Sequence, residues 1–352
     1  MTINATAKVT QGTVVVMYMT VFKLVIGMTG ILGNLLVIVV ILRYKKLFQQ
    51  VKSNVINQSF IDCLVSVVLI QTAFVRRTTV PYALQTSVLF CKLVLSQVLM
   101  WGLMSSSTLN LMAISIERYL AIVHPVWYKV RFSKTQANVL VALTWVIGIF
   151  IQFAYIIPTT DLLRGRCLIV FFWPSRLLAA AVGLLQIFIS VVLPFVVHSV
   201  CYFNIVKVLR KRNIKIDASR NKTNTCVNTE QQMTLSNVVE APSTSILKTG
   251  SPVKPTQPTS SSAKHNSDDK TTRNVIKTFG IVTSSYFVCW LPHKVYILMY
   301  MFGQISTFGH LYQATLIMMF LNCCINPFIY IAKYDAFRKG VAMLFRCQQQ
   351  NG

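Results

Sequence analysis

The chain has 352 residues, of which 54% are hydrophobic and only 12% charged. Soluble domains carry roughly 25% charged residues, so a soluble fold of this size is excluded. The charge is one-sided, 34 Lys and Arg against 9 Asp and Glu for a net +25, an excess that suits a nucleic-acid binder or the cytoplasmic loops of a membrane protein.

A membrane-crossing helix needs about 20 mostly apolar residues. After a tail at 1–13, seven stretches meet that need: Val14–Leu42, Val55–Val75, Leu89–Ile122, Ala137–Ile157, Leu177–Val206, Val275–Phe302 and Leu311–Ala332. Five of them fall in 14–212 and two in 273–332. The third is the most polar, with Ser105–Thr108, Asn110 and Ser115, the pattern of a helix surrounded by other helices. Residues 213–272 are rich in Ser, Thr, Asn, Lys and Pro and contain no Phe, Trp or Tyr. Such a segment cannot bury enough surface to fold. It is expected to be a disordered cytosolic loop, either phosphorylated or a plain spacer. In the tail at 333–352, Tyr334–Arg346 reads as an amphipathic helix with Phe337, Val341, Leu344 and Phe345 on its apolar side.

The connections alternate in charge. The odd-numbered ones, with the flanking Lys277, and the C-terminal tail collect 24 basic residues; the N-terminal tail and the even ones, with the flanking Lys92, collect seven. Basic residues mark the cytoplasmic side, so the N-terminus is expected outside and the C-terminus in the cytosol. The sequon Asn4-Ala5-Thr6 then faces outward and is open to glycosylation, whereas Asn57 and Asn221 face inward. The first span is expected to act as the insertion signal.

Each span carries its own short motif. Span one has Gly33-Asn34. Span two has Asn57 and Asp62 around Gln58-Ser59-Phe60-Ile61. Span three ends Glu117-Arg118-Tyr119. Trp145 lies in span four, with Pro194 and Tyr202 in span five. Span six has Cys289-Trp290-Leu291-Pro292, and span seven has Asn326-Pro327-Phe328-Ile329-Tyr330. Asp62 is the only acid deep in any span. An intramembrane carboxylate is expensive and a functional candidate by default. Pro292 removes a backbone hydrogen bond and bends span six.

In this order, these motifs resemble the rhodopsin-like (class A) G-protein-coupled receptors, with a looser similarity to peptide receptors of the galanin and somatostatin type. The resemblance implies an all-α fold of seven transmembrane helices plus a short amphipathic cytosolic helix. It implies that Arg118 pairs with Glu117 at rest and meets a G protein when active, with Tyr202 and Tyr330 beside it. Val126 would add an apolar contact to the G protein. Trp290 and Pro292 would transmit ligand contact, and Tyr119, Asn326 and Pro327 belong to the same switch. The resemblance also implies a sodium ion held by Asp62, Ser107, Asn322 and Asn326. The residues alone equally allow a protonated Asp62 in a polar network. Cys91 and Cys167 face the oxidising side, which favours the disulfide the family has. Cys347 becomes a palmitoylation candidate.

The chain departs from the family at several points. Gln58 and Ser59 stand where the family usually has Leu-Ala. Cys91 lies 27 residues before Arg118, two more than usual. Thr108 and Tyr286 replace the commoner Ile or Val and Phe. Thr272 and Arg273 open span six without an acid, so no lock to Arg118 forms there and basal signalling is expected.

The position of an amine-binding Asp holds Met100 or Val98, so a small cationic amine has no counter-ion. Phe320 stands where light receptors carry the retinal Lys. The ligand-pocket candidates are Gln97, Met100, Trp101, His293, Lys294 and Tyr296, with Arg76, Arg77, Lys92, Arg164 and Arg166 as a basic rim that would steer an acidic ligand. A neuropeptide-like peptide is the expected ligand; a non-peptide anion or lipid is the alternative, and a transporter or channel a distant one. A transporter usually shows internal repeats of broken helices; none is visible here. No paired acids or ligand-spaced cluster suggests an enzyme. Expected partners are a heterotrimeric G protein, arrestin and receptor kinases through the loop, and anionic membrane lipid, with no nucleic acid. Plasma-membrane residence follows from the resemblance.

Overall fold

A computed structural model describes residues 2–48, 52–74, 87–163, 166–169, 175–212, 214, 260–302, 304–305 and 309–349. The described residues are helical apart from one hairpin and short connections.

Helix α1 covers Thr2–Arg43, so the predicted tail is helical from Thr2 onward. Helix α2 covers Lys52–Phe74. Its buried positions Val55, Gln58, Asp62, Val65 and Leu69 recur at helical spacing on one side, while Phe60, Val67 and Phe74 are exposed. Helix α3 covers Val98–Val123 and buries the whole run Ser105–Thr108 together with Asn110. It is preceded by a short helical turn, Val88–Phe90, and a π-helical turn, Cys91–Leu95. A π turn inserts one residue per turn. Gln97 then adopts the left-handed conformation, φ 58°. This break lies in the long interval between Cys91 and Arg118.

Pro125 opens a short helix, Pro125–Arg131, where its missing N–H does no harm. Helix α4 covers Lys134–Thr159 and starts with a capping box between Ser133 and Gln136. Strands β1 (Thr160–Leu163) and β2 (Arg166–Ile169) form an antiparallel hairpin. Helix α5 begins at Arg176–Ile187, capped by Ser175, passes through a π-helical turn, Phe188–Val192, and continues over 193–212.

Helix α6 covers Ser260–Met301. Residues 260–272, expected to be loop, are therefore helical. They contain no Pro or Gly, and extending a formed helix avoids the cost of a new nucleus. The rest of that loop lies outside the described residues up to Ser260, apart from the helical flank and Ile214. Helix α7 covers His310–Lys333 and α8 covers Asp335–Gln349. Asp335 in the first turn and Arg346 in the last suit the dipole of α8. Phe337 is buried, and Val341 and Leu344 are half-buried, but Phe345 is 56% exposed. The expected apolar side of α8 is one residue narrower than the pattern suggested.

Among the described residues, six helices are long and apolar enough to cross a membrane. The apolar stretch of α6 is interrupted by Thr283-Ser284-Ser285 and Pro292-His293-Lys294. The main contacts run α1 with α2 and α7, α2 with α3, α3 with α4, and α6 with α7. The shared core includes Ile41, Ile61, Leu69, Met100, Ile114, Tyr286, Trp290, Met319 and Phe337. The outward faces carry Leu32, Phe150, Phe203, Val288 and Leu311, all exposed. A soluble protein rarely displays so much apolar surface.

Close approaches depend on glycine. A Cβ on Gly148 of α4 would lie 2.6 Å from the backbone N and Cα of Ser106 in α3, and one on Gly33 would lie 3.0 Å from the Pro327 ring. The latter contact packs the Gly33-Asn34 and Asn326-Pro327 motifs together.

Candidate functional site

At one end of the bundle, Glu117 and Arg118 form a buried ion pair, Nη2 to Oε1 2.8 Å. The same carboxylate accepts the Tyr128 hydroxyl at 2.7 Å and the Asn54 side-chain amide. Burial first, and then the hydrogen bond and charge of Glu117, push the Tyr128 hydroxyl up to about 12. It therefore remains a donor at neutral pH. Glu117 thus ties α3 to α2 and to the Pro125–Arg131 helix. Tyr119 turns away from the pair and meets His124, hydroxyl to Nε2 3.3 Å. Arg212 of α5 donates to the Ile122 carbonyl at 2.9 Å. Val126, Trp127 and Val130 are exposed and, with Val123 and His124, line a shallow hollow of about 550 Å³.

A cavity of about 490 Å³ lies between α3, α5 and α6, lined among others by Ser115, Arg118, His198, Tyr202, Gly280 and Phe287. The Tyr202 ring sits so close to Gly280 that a Cβ there would be 2.7 Å from it. Tyr330 is buried and packs edge-on against Phe337, centroids 6.2 Å apart. Near this end α6 is tied to α7 and α8. Thr278 shares its hydroxyl hydrogen between the Asn274 carbonyl at 2.8 Å and the Lys333 carbonyl at 3.3 Å, and Asn274 donates to the Asp335 carboxylate. The side chains of Thr272 and Arg273 lie outside the described residues.

The middle of the bundle is a polar network. Asp62 Oδ2 accepts from Asn326 Nδ2 at 2.8 Å, and Oδ1 accepts from the Ser107 hydroxyl at 3.2 Å. Asn322 is buried one turn before Asn326. Gln58 donates to both Asp62 oxygens. Trp145 Nε1 donates to Asn57 at 2.9 Å, and Asn57 donates to Asn110 at 2.8 Å. Above this network, Tyr286 donates to the Ser190 carbonyl at 2.8 Å and accepts from Thr108 at 3.1 Å. Ser190 lies inside the π-helical turn of α5, which frees carbonyls from the helix ladder. Trp290 packs on Tyr286, centroids 5.4 Å apart.

The pocket candidates divide. Trp101 stacks on His293 at 5.9 Å, His293 meets Tyr312 at 5.6 Å, and Tyr312 meets Tyr296 at 5.4 Å. Thr315 faces His293 Nδ1 at 3.4 Å. Lys294 Nζ stands 5.3 Å over the Trp290 ring, a cation–π contact. Gln97 and Met100 instead line a cavity of about 160 Å³ against Val68, Gln71 and Thr72 of α2. Cys91 and Cys167 form a disulfide, Cα–Cα 5.5 Å, which fastens the hairpin beside the start of α3. Arg76, Arg77 and Arg164 lie outside the described residues, as do the side chains of Asn4, Arg166 and Cys347.

Sequence reasoning missed Asn54, Tyr128, Tyr312 and Thr315, and took Asn110 only as part of the polar run of span three. Asn54, Asn57 and Gln58 form a polar group at helical spacing in an apolar span, and that signal was present. Nothing local marks Tyr128 or Tyr312.

The sequence model of the family described as 7 transmembrane receptor (rhodopsin family) matches residues 33–330. The chain belongs to this receptor family. The match runs from the Gly33-Asn34 motif to Tyr330, the closing residue of the α7 motif. The receptor is 27% identical to the cholecystokinin receptor of Xenopus laevis, over 92% of this chain and 75% of the relative. It is 25% identical to trace amine-associated receptor 4 of Mus musculus, over 89% and 80%. It is 23% identical to the substance-P receptor of Cavia porcellus, over 92% and 69%. A rhodopsin-family receptor is a multi-pass membrane protein that answers a ligand by engaging a G protein; it is not an enzyme.

Proposed function

We propose that this receptor answers an extracellular peptide that carries an acidic side chain or a free carboxylate. The observation that carries this reading is Lys294, poised over Trp290 beside the cluster Trp101–His293–Tyr312–Tyr296. A cation on an aromatic floor offers an anionic group both charge and stacking surface. No Asp or Glu lies on α3 before Glu117, which disfavours an amine despite the similarity to trace amine receptors. The hairpin beside the disulfide presents strand edges that an extended peptide can meet. Two relatives are named for cholecystokinin and substance P, which supports a peptide.

The receptor is read as lying in the plasma membrane with its disulfide end outside and its Arg118 end in the cytosol, as the charge count favours. Asn4 would then carry glycan and Cys347 a palmitoyl chain. Agonist contact at Lys294 and Trp290 favours a state in which the inner end of α6 swings outward about Pro292. The ties of Asn274 and Thr278 then part, and a cleft opens beside Arg118, Tyr202 and Tyr330. Val126 and its exposed neighbours meet the G protein, and residues 213–272 serve arrestin and receptor kinases. Coupling of this kind is typically about 1–3 kcal/mol and reciprocal.

The test is a screen of acidic and neutral peptides, anionic lipids and cationic amines against the receptor with a promiscuous G-protein readout. An acidic peptide agonist whose potency falls at least tenfold in Lys294→Ala is the expected result. Activation only by a cationic amine, unchanged in Lys294→Ala, overturns the reading. An anionic lipid agonist that loses potency in the same variant would favour the lipid alternative.

A further inference from the structure

The rhodopsin-family resemblance implies a sodium ion beside Asp62, with Ser107, Asn322 and Asn326 supplying oxygen. The residues present do not fit one. Asp62 Oδ1, Asp62 Oδ2 and Ser107 Oγ converge on a single atom, Nε2 of Gln58, at 3.2, 3.2 and 2.5 Å. A hard cation needs oxygen lone pairs around a free centre. Here a nitrogen bearing two N–H donors fills that centre.

The amide cannot turn round. Gln58 Oε1 accepts from Asn110 Nδ2 at 2.8 Å. A reversed Gln58 would set its oxygen against a carboxylate and its NH₂ against another NH₂. Asn110 is itself fixed, because its Oδ1 accepts from Asn57, which is held by Trp145. Asn326 also turns a donor toward Asp62. Of the four expected ligands, Asp62 and Ser107 present their oxygens to the Gln58 N–H groups, and Asn326 presents its own N–H to Asp62. Gln58 is buried with its neighbours Ser107 and Asn326, so a cation could enter only by displacing it.

We propose that the side-chain amide of Gln58 occupies the place of the sodium ion, so that the resting receptor is closed by its own chain and does not respond to sodium. Gln58 joins α2 to α3 through Ser107 and Asn110, and Asp62 extends the link to α7 through Asn326. The amide therefore bridges the same helices that a shared cation would.

The experiment uses purified full-length receptor, with thermal unfolding and basal nucleotide exchange measured in sodium chloride and in choline chloride at equal ionic strength. Wild type is expected to behave alike in both salts. Gln58→Leu removes the amide and exposes the oxygens; its melting temperature should rise by several degrees in sodium, its basal exchange should fall, and Gln58→Leu/Asp62→Asn should lose both responses. A wild-type protein stabilised by sodium, with the effect abolished in Asp62→Asn, overturns the proposal. So does a folded Gln58→Leu that ignores sodium. If Gln58→Leu does not fold, the wild-type and Asp62→Asn comparison still decides.

Discussion

The hydroxyl of Tyr286 on α6 reaches across to the Ser190 carbonyl of α5, 2.8 Å away, and bridges it to Thr108 on α3. One phenol thus joins three helices just below Trp290. A buried hydrogen bond whose partner is removed leaves a stranded acceptor, a loss of about 1–3 kcal/mol. Tyr286→Phe should lower the melting temperature by several degrees and raise basal nucleotide exchange. An unchanged melt would show that the bridge contributes nothing.

The Glu117–Arg118 pair is buried and also held by Tyr128 and Asn54. Removing one partner of such a pair costs roughly 3–5 kcal/mol when the other stays unpaired. Glu117→Gln should therefore favour the state in which Arg118 finds a new acceptor. Basal exchange is expected to rise several-fold, with a smaller rise in Tyr128→Phe. Equal basal activity in all three proteins would refute the role of the pair.

The ties of Asn274 to Asp335 and of Thr278 to the Lys333 carbonyl take the place of an acid on α6. Such hydrogen bonds contribute about 0.5–1.5 kcal/mol each. Asn274→Ala/Thr278→Val should show raised basal signalling at unchanged surface expression. If basal signalling is high in wild type and no higher in the variant, the ties do not hold the resting state.

Gly148 touches the backbone of α3, whereas a Cβ on Gly309 would meet no atom within 4 Å. Overpacking against backbone costs typically about 1–3 kcal/mol. Gly148→Val should lose surface expression while Gly309→Ala expresses normally. Equal expression would contradict the tight α3–α4 packing.

The disulfide closes a sequence separation of 76 residues. In the chain-entropy account such a loop contributes about 4.5 kcal/mol. Cys91→Ser and Cys167→Ser should each lower the melting temperature, and the double variant should be no worse than either, as read by thermal unfolding of purified receptor.

Much of this architecture was legible because membrane spans advertise themselves by length and hydropathy, and because motifs such as Glu117-Arg118-Tyr119 and Asn326-Pro327 sit at fixed places on them. Rotational phase was less legible. Gln97 and Met100 line a cavity against α2. The π turn at Cys91–Leu95 and the left-handed Gln97 reset the helix just before α3, and neither has a sequence mark. Gln58 stood out as a departure, but its meaning lay in Ser107 and Asn110, 49 and 52 residues away. Such contacts belong to helix pairing and cannot be read from local spacing. The start of α6 at Ser260 was missed because polar composition argues for disorder, whereas a helix already nucleated in the membrane can run on into water.

That run-on has a mechanical consequence. At 1.5 Å per residue, the arm of α6 from Pro292 back to Ser260 is about 48 Å long. The hydrocarbon core is only about 30 Å thick. In the swing about Pro292 proposed above, the protruding end is the tip of a lever. Each 5° of rotation at the bend moves that tip by about 4 Å, so a displacement too small to notice beside the ligand becomes, for whatever protein waits at the far end, a change of most of a helix pitch.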